Sequence, residues 1–563
     1  MRLASVALLG ALSLLLPASA GAAVKYEKYK VPSVGGALIN VEVARDDSVP
    51  TSAVLLTYSP YNSLSEKTDG TNIANDAYAR TYAKLGIARA RADVIGTRDS
   101  EGCWDYGGAK EQQSGVDVVE FLAGQPWSNG NVGMIGGSYD GTTATMVAAA
   151  PNAPKALKAI VPIAAISRWY GYAYQDGVRF LGNSENAADE GFDTPLAFDF
   201  GFGRTVGPGA TPKTVQDRLN PCDSVAHTER GYDTSPDYDA FWLERDYRKD
   251  AKGVKAAALV AHGWQDYNVK QEEGTAFFAA LPKGRKWLYL TQGTHGGGTS
   301  GAEWTGLLDS FLKRFLLGQD TDIETRPRVL TRGRIMTGTG MTSTLRQEAD
   351  WPPKDVEEQR LFIRRTFDQD IPGVTLPNPG TGETGTLDPE PNTKPVDNVF
   401  TWVDTGAQTE EVTTRDPLNE PGHGYYSLFH KSAPLKAPMR IAGSVLLDGH
   451  FRTPAGAHLS PVLLDVAPDG TLRTIARGFL NVDYRKGLAK AEPANNQWVK
   501  AQVRFLPQDV TLPAGHRLGL LLQSSNTVWA LPGTPGPVNI ATGPVANVTA
   551  EGSSLRIPVA PAG

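Results

Sequence analysis

The sequence predicts an α/β protein: a mostly parallel sheet with helices on both faces, an inserted cap, and then a separate all-β sandwich. Three observations carry this. Apolar runs of strand length alternate with helical stretches up to about residue 290. A stretch rich in aromatics and acids interrupts that rhythm at about 167–250. From about 327 helical periodicity fades into alternating segments punctuated by Pro and Gly.

With 563 residues the chain is long enough for two or three domains. It is 40% hydrophobic and 21% charged, an ordinary globular composition. The net charge of −6, without a Lys/Arg stripe, gives no reason to expect a nucleic-acid partner. Residues 1–22 read as a secretory signal peptide: Arg2, an apolar stretch over 6–16, then Pro17-Ala18-Ser19-Ala20 as a small-residue cleavage site. That apolar stretch is too short to span a bilayer, so the expected mature protein is secreted, without a membrane partner. In an oxidising compartment Cys103 and Cys222 either form one disulfide or stand as two free thiols. So far apart, and without neighbouring His or Cys, they make a poor zinc site, and neither a metal nor a cofactor is expected.

Taken in order, residues 37–43 alternate as in antiparallel strands at a sheet edge. Buried-type strands follow at 53–57 and 86–93, and 113–123 has helical spacing with Val116, Val119 and Leu122 on one face. The strand series continues at 132–135, 159–163, 257–261 and 287–290. The catalytic domain is thus expected over 23–166 and 251–326, with a helical cap over 167–250. The cap aromatics, Trp169 and Tyr170 among them, are candidates for a pocket wall, although as packing alone they read equally well as core. The sandwich is expected over 327–563, with strands at 440–447 and 518–522 and a surface loop over 372–397.

The chemistry concentrates at Gly136-Gly137-Ser138-Tyr139-Asp140-Gly141. A serine between a strand and a breaker-free helix is the nucleophile elbow of α/β-hydrolases. Small neighbours leave room for the sharp turn, and the helix start offers N–H groups to a developing negative charge. A serine hydroxyl needs a base and a group to orient that base, in the chain order Ser, Asp, His. Asp266 follows the strand at 257–261, and His295 sits in a glycine-rich loop after the next strand. The backbone N–H of Tyr139 is one oxyanion donor. His262 is expected to pack at the strand end, and the other histidines fall in the sandwich or ahead of Asp266.

Four segments together resemble the Xaa-Pro dipeptidyl-peptidase and cocaine-esterase group of serine hydrolases. They are Ser59-Pro60-Tyr61, residues 93–102 (DVIGTRDSEG), GGSYDG at 136–141, and Gly263-Trp264-Gln265-Asp266 with Gly293-Thr294-His295. The resemblance implies a Ser-Tyr-x-Gly elbow, which accounts for Asp140 where glycine is usual. It also implies the Tyr61 hydroxyl as second oxyanion donor, a helical cap and a C-terminal jelly roll. Short strings around Asp266 and Trp169 look closer to the Xaa-Pro peptidases than to the esterases. A peptide or a small ester or amide is then the expected substrate. Glu185, Asp189, Glu190 and Asp193 are candidates for binding its free ammonium, Trp264 for a pocket residue. Two alternatives stand beside this reading: an esterase or β-lactam-type acylase on the same machinery, and a carbohydrate- or surface-binding protein working through its sandwich.

Overall fold

The computed structural model describes residues 24–62, 73, 76–181, 222, 235–337, 340–365, 385–393, 399–406, 427–545 and 551–562. The expected signal segment and most of the expected cap lie outside these residues.

Two antiparallel strands, β1 (Val24–Pro32) and β2 (Leu38–Asp46), form one edge of the catalytic sheet. Next come β3 (Ser52–Ser59), α1 (Ala77–Tyr82), β4 (Ile87–Asp93), α2 (Ala109–Ala123), β5 (Ser128–Gly137), α3 (Tyr139–Ala148) and β6 (Leu157–Ile163). The described part of the cap region holds α4 (Trp169–Ala173), the hairpin β7 (Tyr174–Gln175) and β8 (Val178–Arg179), and α5 (Ala240–Glu244). The chain then returns to the sheet with β9 (Ala257–Gly263), α6 (Glu272–Ala280), β10 (Lys286–Thr291) and α7 (Gly301–Leu317). The strand order β1-β2-β4-β3-β5-β6-β9-β10 is parallel from β4 onward, and β2 pairs with β4 antiparallel. This is an α/β-hydrolase sheet.

Alternate residues of each strand feed different layers, as the two-residue period of a strand requires. Val54 and Leu56 pack with Val116, Val119 and Leu122 of α2 and Val147 of α3. Ala53 and Leu55 face the other way, toward Leu308, Phe311 and Leu312 of α7. Helix α2 begins four residues before the expected 113. Asp105 accepts from Lys110 N and the distant Glu244 accepts from Ala109 N, both at 2.8 Å, so orphan N–H groups of the first turn are satisfied.

The second half is β-rich, with its own apolar core that includes Leu447, Phe451, Val503, Leu520 and Ile557. It is continuous with the catalytic sheet. The first half of β11 (Val329–Met336) pairs parallel with β10, and its second half pairs with the strand Gln508–Leu512. The hairpin partner of β11 is β12 (Met341–Glu348). Two expectations need correction. The single strand expected at 440–447 is two, Met439–Gly443 and Leu446–Arg452. Gly443, with φ 128°, open to glycine, ends the first; on one side pairing moves from Gln508–Leu512 to Trp498–Arg504, while on the other both strands keep Ser554–Ala560. The loop expected over 372–397 contains a strand, Gly385–Asp388, paired with Glu357–Arg365. Among the described residues no helix is long and apolar enough to cross a membrane.

Candidate active site

Strand β5 runs into Ser138, whose backbone is held at φ 58° and ψ −127°, and α3 starts at the next residue. Such a conformation is costly for a residue with a side chain and persists only where its surroundings fix it. Here Ser138 N donates to Ile163 O at 2.9 Å. A Cβ on Gly136 would lie 2.3 Å from the Cβ of Asp140, so only glycine allows the strand to turn this tightly.

The hydroxyl of Ser138 meets the side chains expected from the sequence. His295 Nε2 lies 2.9 Å from Ser138 Oγ, and His295 Nδ1 lies 3.0 Å from Asp266 Oδ2. Asp266 is buried, and its Oδ1 accepts from Asn268 N and Val269 N, each at 3.0 Å. Burial alone would raise its carboxyl pKa, but hydrogen bonds from His262 and His295 outweigh burial and hold it below the ordinary value. His262 packs at the strand end with Nε2 2.9 Å from Val269 O. Since a carbonyl only accepts, the ring carries a proton there, 3.5 Å from Asp266 Oδ2.

On the other side of the serine, Tyr61 Oη donates to Ser138 Oγ at 3.1 Å and accepts from Tyr139 N at 3.2 Å. The groups form one chain with a single sense of donation: Tyr139 N–H to Tyr61, Tyr61 O–H to Ser138, Ser138 O–H to His295, His295 N–H to Asp266. Two donors, an N–H and an O–H, thus sit beside Ser138 Oγ.

Two buried networks hold those donors, and neither is evident in the sequence pattern. Beneath the elbow, Tyr139 Oη donates to Glu111 Oε2 at 2.9 Å and accepts from Trp104 Nε1 at 3.0 Å. Gly107 N donates to the same Glu111 oxygen at 2.8 Å. Burial pushes the Glu111 carboxyl up to about 8, the hydrogen bonds from Gly107 and Tyr139 offsetting only part of it. Beside Tyr61, Asn62 Nδ2 donates to Asp93 Oδ1 at 2.6 Å, and Asn40 Nδ2 donates to Asp93 Oδ2 at 2.9 Å. Burial raises the Asp93 pKa, against Arg98 Nη1 at 3.4 Å. The DVIGTRDSEG segment therefore anchors the residue next to the tyrosine hydroxyl. A signal existed, in that Asp93 opens that segment and Asn62 follows Tyr61, but nothing in the spacing pairs them.

The remaining candidates fall elsewhere. Trp169 is buried beneath the elbow, its Nε1 donating to Tyr247 Oη at 2.9 Å and its ring 5.3 Å from that of Tyr139. Tyr170 is also buried, stacked on Tyr174 at 5.0 Å and donating to Pro236 O. Both are packed among other aromatic rings, and aromatic content signals burial without saying which face is open. Trp264 is turned toward β11 and the sandwich, with Nε1 3.2 Å from Thr331 Oγ1 and its ring 5.2 Å from that of Trp351. Glu185, Asp189, Glu190 and Asp193 lie outside the described residues. Cys103 and Cys222 are joined in a disulfide that ties the segment after β4 to the cap region.

This fold, with its comparisons, defines a serine hydrolase. Residues 35–297 match the model of the X-Pro dipeptidyl-peptidase (S15) family, and residues 322–543 match that of the X-Pro dipeptidyl-peptidase C-terminal non-catalytic domain. A putative Xaa-Pro dipeptidyl-peptidase of Bacillus cereus is 30% identical over 87% of this chain and 82% of its own length. The chain belongs to the X-Pro dipeptidyl-peptidase (S15) family. Another relative, from Streptomyces avermitilis, is 31% identical over 71% of this chain; the match spans only 55% of that longer protein. Among solved structures, a CocE/NonD family hydrolase from Staphylococcus aureus shares the fold, with TM-score 0.72 at 16% identity over 95% of this chain and 94% of its own. So does an α-amino acid ester hydrolase, with TM-score 0.67 at 17% identity over 98% of this chain and 99% of its own.

Proposed function

We propose that the chain is a secreted Xaa-Pro dipeptidyl-peptidase that works through an acyl-enzyme on Ser138. The observation that carries this is the unbroken hydrogen-bond chain from Tyr139 N through Tyr61, Ser138 and His295 to Asp266, joined to family membership. Ser138 Oγ attacks the carbonyl carbon of the proline residue while His295 Nε2 takes its proton. Asp266 holds the imidazole with Nδ1 protonated and stabilises the imidazolium. The Tyr61 hydroxyl rotates from Ser138 to the new oxyanion, and the fixed Tyr139 N–H exchanges Tyr61 for it as acceptor. Collapse of the tetrahedral adduct breaks the C–N bond, and His295 returns the proton to the leaving amine. Water, deprotonated by His295 in turn, then hydrolyses the ester and frees the dipeptide.

Export is proposed from the sequence of residues 1–22. The acidic residues of the insertion are the proposed partners of the substrate ammonium. A panel of Ala-Pro anilide, its N-acetyl derivative and phenyl acetate tests the reading. The free-amine anilide should have the highest kcat/KM, with acetylation costing about 10²-fold or more, as expected where a charge-assisted contact is lost. Equal rates with and without the acetyl group, or a preference for phenyl acetate, would move the protein to the esterase reading.

A further inference from the structure

A cavity of about 290 Å³ lies behind the Asp266 loop, where the catalytic domain meets the sandwich. We propose that it is a second binding site, which accepts a small organic carboxylate with a compact apolar or aromatic body. Ser138, His295 and Tyr61 are not among its described walls, so it is separate from the nucleophile. Its size is near the lower end of small-molecule sites.

The charge of its lining selects the ligand. Lys270, Arg334, Arg473 and Arg477 face it, against the single carboxylate of Asp266, which is bonded to His295. Arg473 is partly neutralised by Asp465 at 3.7 Å. Lys270 Nζ donates to Tyr267 O and Asn268 O, and burial brings its pKa down to about 7.

Arg334 is the residue left wanting. It is only 6% exposed, and its Nε has no hydrogen-bond partner among the described residues. Nη2 donates to Ile475 O at 3.2 Å, while among the described residues Nη1 meets the sulfur of Met341 at 3.7 Å. Burial lowers its pKa to about 10 despite Tyr267 and Asp465, with Arg477 adding repulsion. A buried guanidinium so poorly compensated is costly, and a carboxylate matches its fork of donors.

The apolar walls then choose an organic anion over an inorganic one. Trp529 lies under the Arg477 guanidinium at 4.1 Å and 5.1 Å from the ring of Tyr267, and Leu472 and Ile475 are also among the lining residues. A flat or compact apolar group fits against these, its carboxylate directed at Arg334. The wall bearing Tyr267 and Lys270 is the loop that holds Asp266, so an occupant would touch the back of the catalytic aspartate's own turn.

Benzoate, with benzamide as its uncharged isostere and sulfate as an apolar-free anion, tests this by calorimetry and by tryptophan fluorescence. Benzoate should bind and quench; benzamide and sulfate should each bind at least about tenfold more weakly. Arg334→Met should lose about tenfold or more of the benzoate affinity. If that variant does not fold, Arg477→Gln takes its place with the same expected loss. Equal binding of benzoate and benzamide, unchanged benzoate affinity in the folded variant, or no benzoate binding to the parent protein would overturn the proposal.

Discussion

Both halves of the molecule bury charged groups, but the groups are arranged for different ends. Under the carboxyl edge of the catalytic sheet, Asp93, Glu111 and Asp266 each hold something beside Ser138: Asn62 next to Tyr61, the ring of Tyr139, and His295. In the sandwich the buried charges stitch strands. Arg440 Nε and Nη2 reach the two oxygens of Asp509 on the adjoining strand at 2.9 and 3.1 Å, and its Nη1 reaches Glu348 of β12 at 2.8 Å. Asp465 accepts from His516 Nδ1 at 2.7 Å across a neighbouring strand pair. Polar burial in one half thus sets the geometry around Ser138, and in the other half it joins neighbouring strands. The difference can be broken by substitution.

The largest effect is expected in the sandwich and on stability alone. Arg440→Met leaves buried Asp509 with Arg346 Nε at 3.9 Å and the Thr331 hydroxyl at 3.1 Å, and should cost about 3 kcal/mol, read from the denaturant midpoint. The specific activity of the folded variant should be unchanged. A loss of kcat at full stability would blur the distinction between the two halves. Tyr61→Phe should do the reverse, lowering kcat by about 10²–10³-fold, as removal of one oxyanion donor does, with little change in melting temperature. Comparable kcat for the variant and its parent would remove Tyr61 from the proposed oxyanion site.

A third test separates support from chemistry. Glu111 is held protonated in the folded protein up to about pH 8, whereas its ordinary value is 4.5. Between those values the native state keeps a proton that the unfolded chain releases, so this group's contribution to stability falls as pH rises through the window. Glu111→Gln keeps an acceptor for Gly107 N and Tyr139 Oη without the titration. It should flatten the pH dependence of stability there, by at most about 1.4 kcal/mol per pH unit. Parallel stability profiles for the variant and its parent would contradict a buried neutral acid.

The features legible in the sequence were local. Ser138, Asp266 and His295 each follow an apolar run of strand length, and a strand end is the place in such a sheet where side chains reach ligands. Pairings across the fold were not legible: Glu111 with Tyr139, Asp93 with Asn62, Arg440 with Asp509. Each is decided by which strands and helices become neighbours, and neither spacing nor residue type records that. Trp169 and Tyr170 were ambiguous for a related reason, since a run of aromatics looks the same whether it lines a pocket or packs as core. The break at Gly443 was hidden because the alternation continues across it while the chain changes partners on one side only.

The proposed role of Ser138 can be tested by labelling the protein with a fluorophosphonate and locating the adduct by mass spectrometry. One adduct, on Ser138, should form in step with loss of Ala-Pro anilide hydrolysis. Ser138→Ala should take up no label and lose about 10⁴-fold or more in kcat. Labelling at another residue that tracks the loss of activity, or hydrolysis persisting in Ser138→Ala, would contradict the account.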